Sequence, residues 1–453
     1  MASVSSYISA YREIIKLGLP ILVGQLGTIV VSFADNIMVG HYSTEALASA
    51  SFVNNLFNVA IFCCVGFTYG LTPLAGALFG KGELRKIGAI TRMALWINVL
   101  YTLLITAVMT VIYFNIDRMG QPAELMPLIK PYFLLVLVGM LPVAIFNVGA
   151  QWSYAINNTG MPMWIILCAN LLNVAGNYML IFGNFGMPEL GLFGAGLSTL
   201  AARILCPLLI FGALLFARRF RPYRDGLLHG ERRRGDRRLI WRTSMPVSLQ
   251  MTFESGSFTA AAIMVGWLGT VPLAAFQVIV IVGMLGFTIY YGIGSAVSVK
   301  VSNECGLNSA AGMRRYAWAG YHLMIVMMTL ASLIFVIGGR HIMTLFSNDP
   351  AVVALATSLI FPLVLYQLGD ATQITFANAL RGTSKVMPML WIAFISYVIV
   401  GIPATYLFAF PLGMGTYGVI LSFSASLFLA GALFLLSFLK VTHNLNISNH
   451  EQA

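Results

Sequence analysis

Charge is what this chain has least of. Asp, Glu, Lys and Arg make up 9% of its 453 residues, against about a quarter in soluble domains, which excludes a water-facing surface over most of the molecule. Cysteine is scarce too. Cys63, Cys64, Cys168, Cys206 and Cys305 include no CxxC spacing and stand in or near apolar runs, so neither a disulfide framework nor a cysteine metal centre is expected. There is no P-loop, no HExxH and no Gly-x-Ser-x-Gly, which excludes direct use of ATP by such a loop and leaves nothing that supports an enzyme. The short in-and-out alternation of a membrane β-barrel is missing. So is a cleavable signal pattern over residues 1–18, where the apolar run simply continues into the first long stretch.

What is present is apolar length. The chain is 59% hydrophobic with a mean hydropathy of +0.85, in runs long enough for spans of about 20 residues each. The expected fold is an all-α polytopic membrane protein of twelve transmembrane helices. The first six lie near 15–40, 52–78, 88–113, 128–150, 161–183 and 190–217. The second six lie near 240–265, 273–300, 314–338, 354–378, 387–410 and 415–440. The net charge of +11 is arranged for a membrane rather than for nucleic acid. Among the Lys and Arg residues, only Arg118, Lys130 and Arg340 fall on one set of alternate connections and Arg203 inside a span; all others share the opposite side. This is the positive-inside bias, and it puts both termini in the cytoplasm. The basic cluster from Arg218 to Arg242 follows from that topology, and it also suits anionic membrane lipid.

The chain repeats itself. Pro20 and Pro246 are 226 residues apart (246 − 20), and the same step carries Ile37-Met38-Val39-Gly40 onto Ile263-Met264-Val265-Gly266, Leu47-Ala48 onto Leu273-Ala274, Gly80 onto Gly306, and Met161-Pro162-Met163 onto Met387-Pro388-Met389. Two six-helix lobes in the same orientation follow, related by an axis along the membrane normal. They are residues 1–217 and 240–445, joined by a basic linker over 218–239 and followed by a cytoplasmic tail over 446–453. The two prolines are candidate kinks.

The acids break the repeat. Asp35 stands opposite Ala261, Glu254 opposite Thr28, and Asp370 opposite Ala144. Intramembrane carboxylates cost several kcal/mol and mark ion or substrate paths. By helical rise, Glu254 and Asp370 lie roughly 18 and 16 Å from the cytoplasmic edge, and Asp35 roughly 28 Å. The single intramembrane base, Arg203, cannot neutralise all three, so at least two are expected to bind a cation, hold a proton or sit in water. Asn170, Asn173 and Asn177 share one face of the fifth helix, with Asn177 at the depth of Asp35. Such amides either hydrogen-bond between helices or supply hard oxygens for an alkali cation. Around the second-lobe acids stand Gln250, Phe253, Phe258, Gln277, Tyr290, Tyr291, Tyr366 and Gln373; aromatics near a buried carboxylate suit large organic cations. Asp349 before Pro350 reads as a helix N-cap.

Asp35 before Asn36-Ile37-Met38-Val39-Gly40, Glu254 eight residues past Pro246, and Gly369-Asp370 with Tyr366 resemble the multidrug and toxic compound extrusion family over nearly the whole chain. The acid pair of the seventh and tenth helices looks like its NorM branch rather than its DinF-like branch. The resemblance implies a monomeric antiporter in a bacterial inner membrane, exporting organic cationic drugs against inward Na⁺ or H⁺ from a cavity between the lobes. It implies a first-lobe cation site of Asp35, Asn173 and Asn177, with Ser198 or Thr199 as a hydroxyl neighbour, and a second-lobe site of Glu254, Asp370 and Tyr366. Drug contacts are implied at Gln277 and Asp349 as well, with Asp370 shared between drug and cation; Glu254 and Tyr290 join them as expected substrate contacts. Two rivals remain. A lipid-linked oligosaccharide flippase of the same superfamily would line its cavity with bases, and an ion channel would pass current without drug.

Overall fold

Helix boundaries in the computed structural model, which describes residues 4–231 and 235–451, obey the same 226-residue step as the sequence. The second helix starts at Thr44 and its counterpart at Thr270; they end at Gly80 and Gly306, and the next pair opens at Leu84 and Ala310. The chain enters each of those last two helices through a left-handed residue, Gly82 in the first half and Asn308 in the second. Glycine has no Cβ to clash at positive φ, and asparagine is among the few side chains that tolerate it.

The first six spans are α1 (Val4–Tyr42), α2 (Thr44–Gly80), α3 (Leu84–Phe114), α4 (Ala123–Ala155), α5 (Gly160–Phe182) and α6 (Gly191–Phe216). A nine-residue helix, Arg221–His229, occupies part of the linker; Arg232, Arg233 and Arg234 lie outside the described residues. The second six are α7 (Asp236–Gly266), α8 (Thr270–Gly306), α9 (Ala310–Thr344), α10 (Pro350–Ser358 continuing as Ile360–Gly382), α11 (Met387–Ala409) and α12 (Gly415–Glu451). The helix α12 runs on into the expected tail, whose residues 452 and 453 lie outside the described residues.

Ten of these helices are long and apolar enough to cross a membrane unaided, and the bent pair of α10 makes eleven. The twelfth, α7, is 31 residues long, or about 46 Å, yet its middle reads Ser244, Ser248, Gln250, Thr252, Glu254, Ser255, Ser257, Thr259. A polar face of that density lowers its hydropathy without shortening it. It is the repeat partner of α1. The protein is therefore a twelve-span, all-helical membrane protein.

The chain divides into two compact units, Val23–Ser248 and Met1–Leu22 with Leu249–Ala453. The boundaries fall inside α1 and α7, at positions that are themselves 226 residues apart (248 − 22). Within the first unit, one core gathers Val53, Phe57, Phe133 and Met140 and another gathers Ile87, Val148, Trp152 and Tyr223. The linker helix is seated there because glycines let backbones meet. Gly88 of α3 lies against the backbone of Tyr223 and Leu227, and Gly226 against that of Arg85. Within the second unit, Phe276, Val282, Leu363 and Phe423 form the main core, and Tyr290, Met324, Ala371 and Ile374 a smaller one.

Three local features depart from straight helices. The two segments of α10 meet at 48°, α2 is interrupted at Tyr69–Gly70, and α11 carries a π-helical stretch over Phe394–Gly401. A π turn widens the hydrogen-bond ring by a residue and recurs at functional sites.

Candidate functional site

The polar residues singled out in the sequence gather in two clusters, one in each unit, and in each the approach of helices through glycine explains it. In the first unit, Gly27 of α1 lies 3.3 Å from the Asn170 amide of α5 at its would-be Cβ. Two turns further along both helices stand Asp35 and Asn177, so the register that pairs the first two pairs the second. Asn177 Nδ2 donates to Asp35 Oδ1. On the same face, Gly176 admits Ser198 of α6, which brings that helix close enough for Ser198 to donate to the Asn173 carbonyl at 2.7 Å. The Asn173 side chain then bridges its neighbours: with Nδ2 toward Asp35 it donates at 2.8 Å, while its Oδ1 accepts from the Thr199 hydroxyl at 3.1 Å and amide at 3.2 Å. An amide in the other sense would set its oxygen against a carboxylate.

Of the two hydroxyls, Thr199 therefore joins the side-chain network and Ser198 is spent on backbone. Asn173 and Asn177 are buried and Asp35 is half-buried. Asn177 Oδ1 has no hydrogen-bond partner, leaving one hard oxygen unsatisfied beside the carboxylate. Arg203 makes no ion pair with Asp35 within 4.0 Å among the described residues; its guanidinium lies against Gly139 of α4 instead.

In the second unit, α8 presents Gly283, Gly286, Tyr290 and Gly294 at helical spacing to α10. The would-be Cβ atoms of these glycines fall against Tyr366, Gln367 and Asn378, so the polar face of α10 packs on a stripe without side chains, and Tyr290 is the one large group in it. Asp370 sits between those contacts, 2% exposed, with Oδ2 lacking any hydrogen-bond partner. The Tyr290 hydroxyl, both amide atoms of Gln367, and the carbonyl oxygens of Gln250 and Gln373 are likewise buried and without a partner among the described residues. Glu254 is held by Gln250, whose Nε2 donates to it at 2.7 Å, and Asp370 lies within electrostatic reach of Glu254, Tyr290, Tyr366 and Tyr397. Phe258 and Phe423 pack edge-on to the Tyr366 ring at 6.3 and 6.5 Å. A buried polar atom left without a partner costs about 1–3 kcal/mol. Among the described residues, no three His, Cys, Asp or Glu side chains converge on a metal-binding geometry; these are carboxylate, amide and phenol sites.

The structure thus brings Asp35, Asn173 and Asn177 together, and separately Glu254, Asp370, Tyr366 and Tyr290. It does not bring in Gln277, which is exposed on α8, or Asp349. That residue caps α10, accepting from the Ala351 amide at 2.8 Å, as its position before proline suggests, and about 30 Å of helix separates it from Asp370. Tyr397 and Gln367 are cluster members that sequence reasoning passed over. A signal existed for both: Tyr397 stands opposite Leu171 in the repeat, the asymmetry that picked out the acids, and Gln367 is polar in an apolar run.

Similar proteins cover both halves. The MatE family model matches residues 20–179 and 246–407. The chain is 29% identical over 450 residues to a probable multidrug resistance protein NorM of Bradyrhizobium diazoefficiens, spanning 96% of this chain and 94% of that one. It is 28% identical to one of the same name from Geobacillus kaustophilus, with 96% of each covered. Among solved structures, the outward-facing conformation of a multidrug resistance MATE family transporter of the MOP superfamily superposes with a TM-score of 0.87 at 17% identity, over 96% of this chain and 97% of that one. A MOP superfamily transporter from Pyrococcus furiosus, described for the reverse polarity of its binding pocket, gives 0.83 at 17%, with 96% of each covered. Proteins so described are membrane transporters, not enzymes. The two family matches begin at the paired prolines Pro20 and Pro246 and run the same course through each half, so the repeat read from the sequence is the family's own unit counted twice, and the chain belongs to the MatE family.

Proposed function

We propose that this chain is a multidrug efflux antiporter of a bacterial inner membrane, exporting organic cations in exchange for inward Na⁺ or H⁺. Its relatives named for multidrug resistance support the first half of that reading. The observation that carries the second is Asp370, a buried carboxyl with one oxygen unpartnered amid the phenols of Tyr290, Tyr366 and Tyr397. Among the described residues no cationic side chain is in ion-pair contact with it, so its neutralisation falls to a ligand or a proton. A flat organic cation meets both demands, charge for Asp370 and Glu254 and ring faces for the Tyr366–Phe258–Phe423 group; a small cation or a proton meets only the first. Because either neutralises the same carboxyls, the two compete, and competition between them is what an exchanger needs.

At the first-unit cluster we assign Na⁺ or H⁺ to Asp35. Asn177 Oδ1 is the orphaned oxygen, and rotation of the Asn173 and Asn177 amides would add their oxygens to the carboxylate's around a sodium ion, with Thr199 as a further donor atom. Hard oxygens at that number suit an alkali cation. Gln277 and Asp349 remain proposed as drug contacts on family likeness alone.

The test is ethidium efflux from proteoliposomes under an inward Na⁺ gradient and, separately, an inward H⁺ gradient. Export under one gradient is expected. Current without drug, or no export under either, would sink the antiport reading.

A further inference from the structure

A groove of about 370 Å³ opens on the first unit, lined by Ile97 and Leu100 of α3 and Arg237, Arg238 and Trp241 of α7. We propose that it holds an anionic phospholipid of the cytoplasmic leaflet, the phosphate on Arg237 and Arg238 and an acyl chain along Ile97 and Leu100.

The level is right for that occupant. The 31 residues of α3 span about 46 Å whereas a hydrocarbon core is about 30 Å thick. Counting back from Phe114, at the outer end, about 20 residues of core reach to the neighbourhood of Ala94. Ile97 and Leu100 then face the acyl region just inside the cytoplasmic boundary, and the start of α7 stands beside them at headgroup level. Trp96, 60% exposed, and Trp241, 44% exposed, flank the same boundary, where indole rings collect. Trp241 packs edge-to-face with Phe67 and Tyr101, at 5.4 and 6.1 Å between rings, which anchors that wall of the groove.

The charge is free to act. Two other bases nearby are engaged: Arg92 donates to the carbonyls of Leu228 and Gly230, holding the end of the linker helix, and Arg224 faces Asp225. Arg237 and Arg238 are exposed and form no ion pair among the described residues, though Asp236 precedes them. The repeat supplies a comparison. Stepping back 226 residues from Arg237, Arg238 and Trp241 gives Tyr11, Arg12 and Ile15 (237 − 226 = 11), and there Tyr11 is hydrogen-bonded to His322 at 2.9 Å. The paired arginines belong to one unit only, so helix packing common to both halves does not require them.

Native mass spectrometry of the full-length protein in detergent, titrated with phosphatidylglycerol, phosphatidylcholine or inorganic phosphate, tests this. Wild-type protein is expected to retain phosphatidylglycerol where phosphatidylcholine is lost. At roughly fivefold attraction per surface arginine, R237Q/R238Q should need about 25-fold more phosphatidylglycerol for equal occupancy. R218Q/R221Q, which removes the same charge elsewhere in the linker, should behave as wild type. Leu100→Trp, which fills the groove with both arginines intact, should also lose the lipid. Equal retention by R237Q/R238Q, or unchanged retention by Leu100→Trp, overturns the proposal. Displacement of the lipid by inorganic phosphate also overturns it, since it would reduce the groove to an anion site without an acyl-chain contribution.

Discussion

Asp35 and Asp370 are both acids within apolar helices, but their hydrogen bonds run differently. Asp35 accepts from two asparagine amides, whereas Asp370 keeps an oxygen without a donor. The first carboxylate is met by protein amide donors, whereas the second has an oxygen that no side chain among the described residues reaches. Asp370→Asn preserves shape and removes charge. A hydrogen bond to a charged group is worth about 1.5–3 kcal/mol, so ethidium export should fall at least about tenfold; export at the wild-type rate with unchanged ion dependence would end its assignment. Asn177→Leu should act differently. It removes an amide from the first cluster and touches nothing around Asp370, so the driving-ion concentration for half-maximal export should rise about tenfold while drug binding in the absence of a gradient is unchanged. A loss of drug binding instead would mean that Asn177 serves packing.

At the scale of helices, what hydropathy could see was legible: eleven spans follow from apolar length, and α7 follows from its kinship with α1 despite its polar face. The clusters were legible in part, because depth and repeat asymmetry located Asp35 with Asn177 and Glu254 with Asp370. Distances along single helices could not place Asn173 against Thr199, which depends on Gly176 admitting α6, nor show that α10 bends beyond Ser358 or that α11 loosens into a π turn near Tyr397. Those outcomes belong to hydrogen-bond register and interhelical packing, to which residue hydropathy is blind. The linker helix is a similar case, since its seat depends on Gly88. Gly88→Val puts atoms into the backbone of Tyr223 and Leu227 and should destabilise by about 1–3 kcal/mol, seen as a lower melting temperature of the purified protein. Gly212→Ala is the matched control: its new methyl meets nothing within 4 Å, and the gain in helix propensity should leave melting unchanged or slightly raised. Equal melting of the two variants would show that the linker helix is not seated through Gly88.

For the whole molecule, the repeat and the charge distribution make independent demands that agree. Two halves of six spans each must enter and leave the membrane on the same side, so the connections after α2, α4, α6, α8 and α10 lie with the termini, and these are the connections that carry nearly all of the bases. The bases left on the other side are few: Arg118, Lys130, which is paired with Asp117 at 2.8 Å, and Arg340. If the positive-inside bias governs, the turn at Lys81, between α2 and α3, is cytoplasmic and the first turn of α4, at Glu124, is external. Single cysteines introduced as Lys81→Cys and Glu124→Cys, with the five native cysteines replaced by alanine, separate the possibilities. A membrane-impermeant maleimide applied to intact cells should label Glu124→Cys at once and Lys81→Cys only after the membrane is opened. Labelling in the reverse order would invert the whole molecule, because a parallel repeat allows no half to be turned over without the other.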